Sequence, residues 1–200
     1  MRTERLGAFS DGVFAIAATL LVLEIHAPTL TASGFWVRLG SEWPAFVAYA
    51  VSFITIGIAW VNHHAMLESL AGADRNVLFL NLVLLLAIGF VPFPTGLLAT
   101  AFREGTAERQ TCLLYAATWL FASSVFTALW WYLATRTPYL LKEGASFGMA
   151  RLHRSWTGPA LYGLAMIASL IRPQAALALF AVIAVWFIHP GKGHLSVDDE

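Results

Sequence analysis

The stretch Arg5-Leu6-Gly7-Ala8-Phe9-Ser10-Asp11-Gly12-Val13-Phe14-Ala15-Ile16 continues as Ala17-Ala18-Thr19-Leu20-Leu21-Val22-Leu23-Glu24-Ile25. Its reading decides the fold. An arginine and a Phe-Ser-Asp triplet lead straight into an apolar helix. Only 12 residues, Gly12 to Leu23, separate the flanking charges of Asp11 and Glu24. A helix facing lipid would hold each of those carboxylates near the hydrocarbon boundary, at a cost of up to about 2–3 kcal/mol. Burial among other helices, or contact with water, removes that cost. A segment that lipid rejects, in a chain otherwise rich in spans, lines something watery or packs at the centre of a bundle.

The rest of the chain supplies those spans. Of 200 residues, 58% are hydrophobic, and 12 Lys+Arg balance 12 Asp+Glu. A soluble domain carries about twice that charged fraction. The composition points to an all-α, polytopic membrane protein. One membrane domain over 1–190 leaves a short tail, 191–200, whose acidic end Asp198-Asp199-Glu200 is expected to be disordered. Zero net charge argues against a nucleic-acid partner. The single cysteine, Cys112, cannot form an intrachain disulfide and reads as a small apolar residue in a span. Arg2 and Arg5 before a short apolar run resemble a signal peptide. Asp11 opens that run and Glu24 interrupts its end, so it reads as a retained first span.

Apolar runs predict six transmembrane helices, over 6–26, 44–67, 76–98, 110–135, 156–171 and 174–189. Pro28 follows the first, and Pro44 sits at the first turn of the second. Gly72-Ala73-Asp74-Arg75-Asn76 separates the second from the third, and Pro92-Phe93-Pro94 kinks or ends the third. Residues 136–155, with Pro138 and several charges, form a loop or surface helix, and Arg172-Pro173 parts the last two spans. Those two are short against the ~20 residues a bilayer core requires. With the N-terminus inside, eight Lys and Arg fall on the cytoplasmic side and four outside. That excess predicts both termini in the cytoplasm.

At 100° per residue, Ile16, Leu20 and Leu23 share an arc of about 60°, which Arg5, Phe9, Gly12 and Ala27 roughly join. Thr19 borders it; Ser10, Asp11 and Glu24 point away. An ordinary packing stripe shows the same spacing. Ser10 could equally be an N-cap, with Phe9 and Phe14 as its hydrophobic staple and Asp11 facing the positive helix end. Across the fold, Trp60, Asn62, His63 and His64 at the inner end of the second span reach the depth of Ser10 and Asp11, as does Asn81. Each needs a partner there. Asp11 accepting from Arg5, His63 or Trp60 would make a fixed network. His63 and His64 lie about 100° apart, so they do not face one metal site together; a hydrogen-bonding His63 is expected, with pH sensing an alternative. Trp36, Trp43, Trp130, Trp131, Tyr132 and Trp156 lie near span ends, where interfacial aromatics collect. The sequence holds no nucleophile elbow, zinc-protease motif or P-loop, so an enzyme is not expected, and no Thr-Val-Gly-Tyr-Gly filter.

Arg5-x-x-x-Phe9-Ser10-Asp11 at the start of the first span resembles the signature of the transmembrane protein 175 potassium channels. The run after it resembles the single-repeat bacterial and archaeal branch. Trp60-Val61-Asn62-His63 and Pro92-Phe93 are similar as well, less specifically. The resemblance implies a homotetramer in a bacterial inner membrane, its first helices around a central pore. It implies a constriction at Ile16, Leu20 and Leu23, the stripe already found by angle, with Thr19 near the narrowest part. Arg5, Phe9, Ser10 and Asp11 then hold the pore helix, with Trp60, Asn62 and His63 as partners. The resemblance further implies that potassium ions permeate, sodium more weakly, with membrane lipid around the channel and no cofactor or resident metal. The rival is a proton-coupled secondary transporter relaying protons through Arg5, Asp11 and His63.

Overall fold

The computed structural model describes residues 3–26, 34–142 and 148–188. Ala27, Pro28 and the 191–200 tail, on which expectations were placed, lie outside the described residues. The first helix, α1 (Thr3–Leu20), ends in a 3-10 turn, Leu21–Glu24. There follow α2 (Phe35–Ser41), α3 (Trp43–Glu68), α4 (Arg75–Phe90), α5 (Pro92–Glu104), α6 (Glu108–Thr135), α7 (Gly148–Ser155), α8 (Thr157–Ile171) and α9 (Pro173–Ile188).

The expected spans are all helical, with three differences. Helix α1 starts at Thr3, so Ser10 lies inside it and is not an N-cap. Its last turn tightens to 3-10 geometry at Leu21–Glu24. The third span breaks at Val91 and continues through Pro92 and Pro94 to Glu104. Pro92 lacks the N–H that an unbroken helix needs, yet suits a new helix's first turn. Among the described residues, four segments are long and apolar enough to cross a bilayer: Thr3–Glu24, Trp43–Glu68, Arg75–Glu104 and Glu108–Thr135. Helices α8 and α9, with 15 and 16 residues, are shorter. Between them, Arg172 is extended and Pro173 restarts the chain as helix.

Local chemistry sets the ends. Asp74 caps α4 by accepting from the Val77 amide at 2.8 Å. Gly105, with φ of 68°, closes α5 in the left-handed region that a side chain disfavours. Helix α6 is the central post: α4, α5, α7, α8 and α9 all pack on it. Its face carries Tyr115, Trp119, Leu129 and Leu133, all buried. The Cys112 thiol is buried and points at the Pro173 carbonyl, 3.6 Å away. Trp130 is buried too, under the Arg151 guanidinium, and so leaves the interfacial set expected for it. Helix α1 sits at the periphery, on α3 and α4.

Candidate pore helix and its polar supports

Helix α1 buries one face only. Leu6, Ser10, Phe14 and Ala17 are buried, and Leu21 continues the line at 0% exposure. Their spacing of three and four is one helical stripe. About 120° round the helix lies the second stripe, with Phe9, Ile16, Leu20 and Leu23. These apolar side chains are bare: Ile16 is 60%, Leu20 41% and Leu23 69% exposed. Gly12 and Arg5 share their line, and both are exposed. A third sector faces a groove against α3. Asp11, Phe14, Ala15 and Ala18 of α1 meet Phe53, Ile56, Gly57 and Trp60 of α3 around a cavity of about 440 Å³.

The motif residues divide into two hydrogen-bonded sets rather than one network. In the first, the Trp60 indole N–H donates to Asp11 Oδ1 at 2.8 Å. This fastens the groove side of α1 to α3. In the second, Asn81 Nδ2 on α4 donates to Ser10 Oγ at 3.1 Å, while its Oδ1 accepts from His63 Nε2 at 2.7 Å. Ser10, Asn81 and His63 are all fully buried, so three helices are joined by polar groups with no access to water. The Phe14 ring lies 5.3 Å from the imidazole. With Nε2–H as donor, Nδ1 is the acceptor nitrogen, and it is buried without a partner among the described residues.

Other expected partners fall elsewhere. Arg5 is exposed and makes no hydrogen bond or ion pair among the described residues. Asn62 is exposed and donates to its own helix, at the Ile58 carbonyl. It shares the depth of the network but not its direction, because one residue turns a helix by 100°. His64 points outward and pairs with Glu68 at 3.4 Å. The Thr19 hydroxyl donates back to the Ile16 carbonyl at 2.9 Å, which leaves its oxygen lone pairs on the exposed side.

Three further polar contacts had no signal in the motif. Ser52 of α3 meets Thr95 of α5 at 2.9 Å and Tyr115 of α6 at 3.0 Å, all buried. Buried Glu42 accepts from Arg103 at 3.1 Å. Glu24 lies on Gly96 of α5. In each, the partner lies on another helix, and only the packed fold brings the pair together.

The arrangement has close counterparts. The family model of the endosomal/lysosomal potassium channel TMEM175 matches residues 5–92. A potassium channel of Streptomyces collinus is 40% identical over 190 residues, covering 92% of this chain and 90% of the relative. The chain belongs to the TMEM175 family. A potassium channel of Chamaesiphon minutus is 37% identical over 189 residues, covering 92% of this chain and 93% of that one. The crystal structure of the lysosomal potassium-selective channel TMEM175 homolog from Chamaesiphon minutus superposes with a TM-score of 0.83 at 36% identity. It covers 93% of this chain and 96% of that chain.

Proposed function

We propose that this TMEM175 family member is a potassium-permeable channel whose pore is lined by α1. One observation carries the reading: a bare apolar stripe on a helix whose ends lipid does not suit. Four copies around an axis would cover Ile16, Leu20 and Leu23 by turning them toward one another. The groove sector, about 120° round, would then meet the adjoining subunit. The reading includes six membrane crossings, both termini in the cytoplasm, and a bacterial inner membrane. The eight-to-four distribution of Lys and Arg supports the orientation.

Rings of these side chains form a hydrophobic constriction. Such a ring excludes water when narrow and conducts when dilated. It supplies no oxygen to replace an ion's hydration shell, so passage costs desolvation. Potassium holds its shell less tightly than sodium and passes more readily, with Thr19 oxygens as the nearest polar lining. Asp11 and Ser10 support the helix through Trp60 and Asn81 and do not meet the ion. The proton-relay rival is disfavoured by the same contacts: Asp11 and His63 have different partners, and Arg5 joins neither.

The test is bilayer recording of the purified, reconstituted protein, with potassium on one side and sodium on the other. Unitary current steps with a potassium-favouring reversal potential are expected. Uptake that saturates and follows a proton gradient, with no unitary steps, would overturn the channel in favour of the transporter.

A further inference from the structure

Beyond Leu20 the first helix narrows into the 3-10 turn Leu21–Glu24. In that geometry residues three apart eclipse one another. Leu23 is therefore drawn into line with Leu20, and Glu24 into line with Leu21. The two lines have opposite surroundings. Leu20 and Leu23 are bare, whereas Leu21 is fully buried and Glu24 half-buried, on a turn that packs against α3 and α5. The Glu24 side chain runs onto the buried Gly96 of α5, and its carboxylate occupies the space that a Cβ at residue 96 would need. Only glycine leaves that seat open.

We infer that Glu24 is a positioning residue: seated on Gly96, it holds the turn that keeps Leu23 in register with Leu20. The contact acts through shape. A methyl group at 96 meets the far end of a flexible side chain, which can swing away while α5 stays packed. The turn then loses its anchor beyond Leu21, and the next residue to move is Leu23. The inference rests on the pore-helix reading above and adds to it a part of the protein outside the Phe-Ser-Asp motif.

The experiment compares Leu23→Ala, Gly96→Ala, Glu24→Ala, Glu24→Gln and the double variant Glu24→Ala/Gly96→Ala in reconstituted full-length protein. The readout is the potassium-to-sodium permeability ratio from bi-ionic reversal potentials. Gly96→Ala and Glu24→Ala should each move the ratio by about threefold or more, in the direction that Leu23→Ala moves it. The double variant should move it no further than either single, because either change already breaks the contact. Glu24→Gln keeps the shape and should retain the wild-type ratio. If Leu23→Ala moves the ratio while Gly96→Ala and Glu24→Ala do not, or if the double variant shows the sum of both shifts, the positioning role is wrong. If Leu23→Ala itself moves nothing, the pore-helix reading fails instead. Should Gly96→Ala not assemble, the contrast between Glu24→Ala and Glu24→Gln decides alone.

Discussion

Neighbouring residues of α1 do different work because the helix turns between them. Leu20 is bare and Leu21 is fully buried, one position apart. Leu20→Ala removes apolar bulk from the proposed ring with little effect on packing. It should raise cation flux, about tenfold for each 1.4 kcal/mol taken off the barrier, and bring sodium closer to potassium. Ile16→Asn should act in the same direction. Leu21→Ala instead leaves a cavity against α3 and α5, and should cost about 2–5 kcal/mol of stability. Liposome flux and thermal unfolding in detergent separate the two. Equal flux effects at both leucines would remove the constriction from this account. At Asn81, both ends of the side-chain amide are bonded inside the protein. Asn81→Leu would strand Ser10 and His63 in a buried site, at about 1–3 kcal/mol for each polar group left unpaired. The melting temperature should fall while the ion ratio of the surviving channel stays unchanged.

Elements in this fold begin and end where a side chain supplies what the backbone lacks. Asp74 stands just before α4 and accepts from Val77, while the Tyr132 hydroxyl of α6 donates to its other oxygen at 2.6 Å. Desolvation acts to raise its pKa, but the Tyr132 hydroxyl and the Val77 and Asn76 amides outweigh it and hold the carboxyl below its ordinary value. The sign follows: a carboxyl depressed in the folded state contributes fully above its unfolded pKa. That contribution is complete above about pH 4 and is lost as pH falls through the lower folded value. Asp74→Ala should cost about 1 kcal/mol at neutral pH, and the difference from wild type should shrink on acidification below the carboxylate range. Thermal unfolding against pH measures both. A difference that stays constant to the lowest pH would show that the ionised cap contributes nothing.

The protomer as a whole leaves α1 half covered. Its buried face is satisfied by α3 and α4, and its Phe9–Leu23 stripe is left exposed among the described residues. If copies close around an axis, a cysteine at Ile16 should be linked to its own copies by a short bifunctional maleimide. A covalent dimer is expected on a denaturing gel, because the one accessible thiol of each subunit can join a single partner. A cysteine at the buried Leu21 should remain monomeric under the same treatment, and Cys112, itself buried, is out of reach of the reagent. Cross-linking at Leu21 with none at Ile16 would place the wrong face on the axis. Subunit number is read from the native mass of the purified protein: four copies are expected, and two would argue for a dimer.

Much of the fold was legible in the sequence because its causes are local. A run of apolar residues must pair its own backbone groups in lipid, so hydropathy alone located the long apolar helices; Pro44 marked the start of α3, and Pro92 marked the break in the third span. The angle of Ile16, Leu20 and Leu23 was legible for the same reason: helical periodicity is a property of neighbours. What the sequence could not choose was which sector of α1 is buried. Ser10 was open to reading as a cap; its burial depends on Asn81, 71 residues away. The pairing of Trp60 with Asp11, the outward turn of Asn62 and the seat of Glu24 on Gly96 have the same origin. No local pattern encodes a contact between distant helices, because its energy exists only once both surfaces have been brought together. The sequence by itself determined where the helices run and how their side chains are phased; tertiary packing alone decided which phase meets protein and which is left bare.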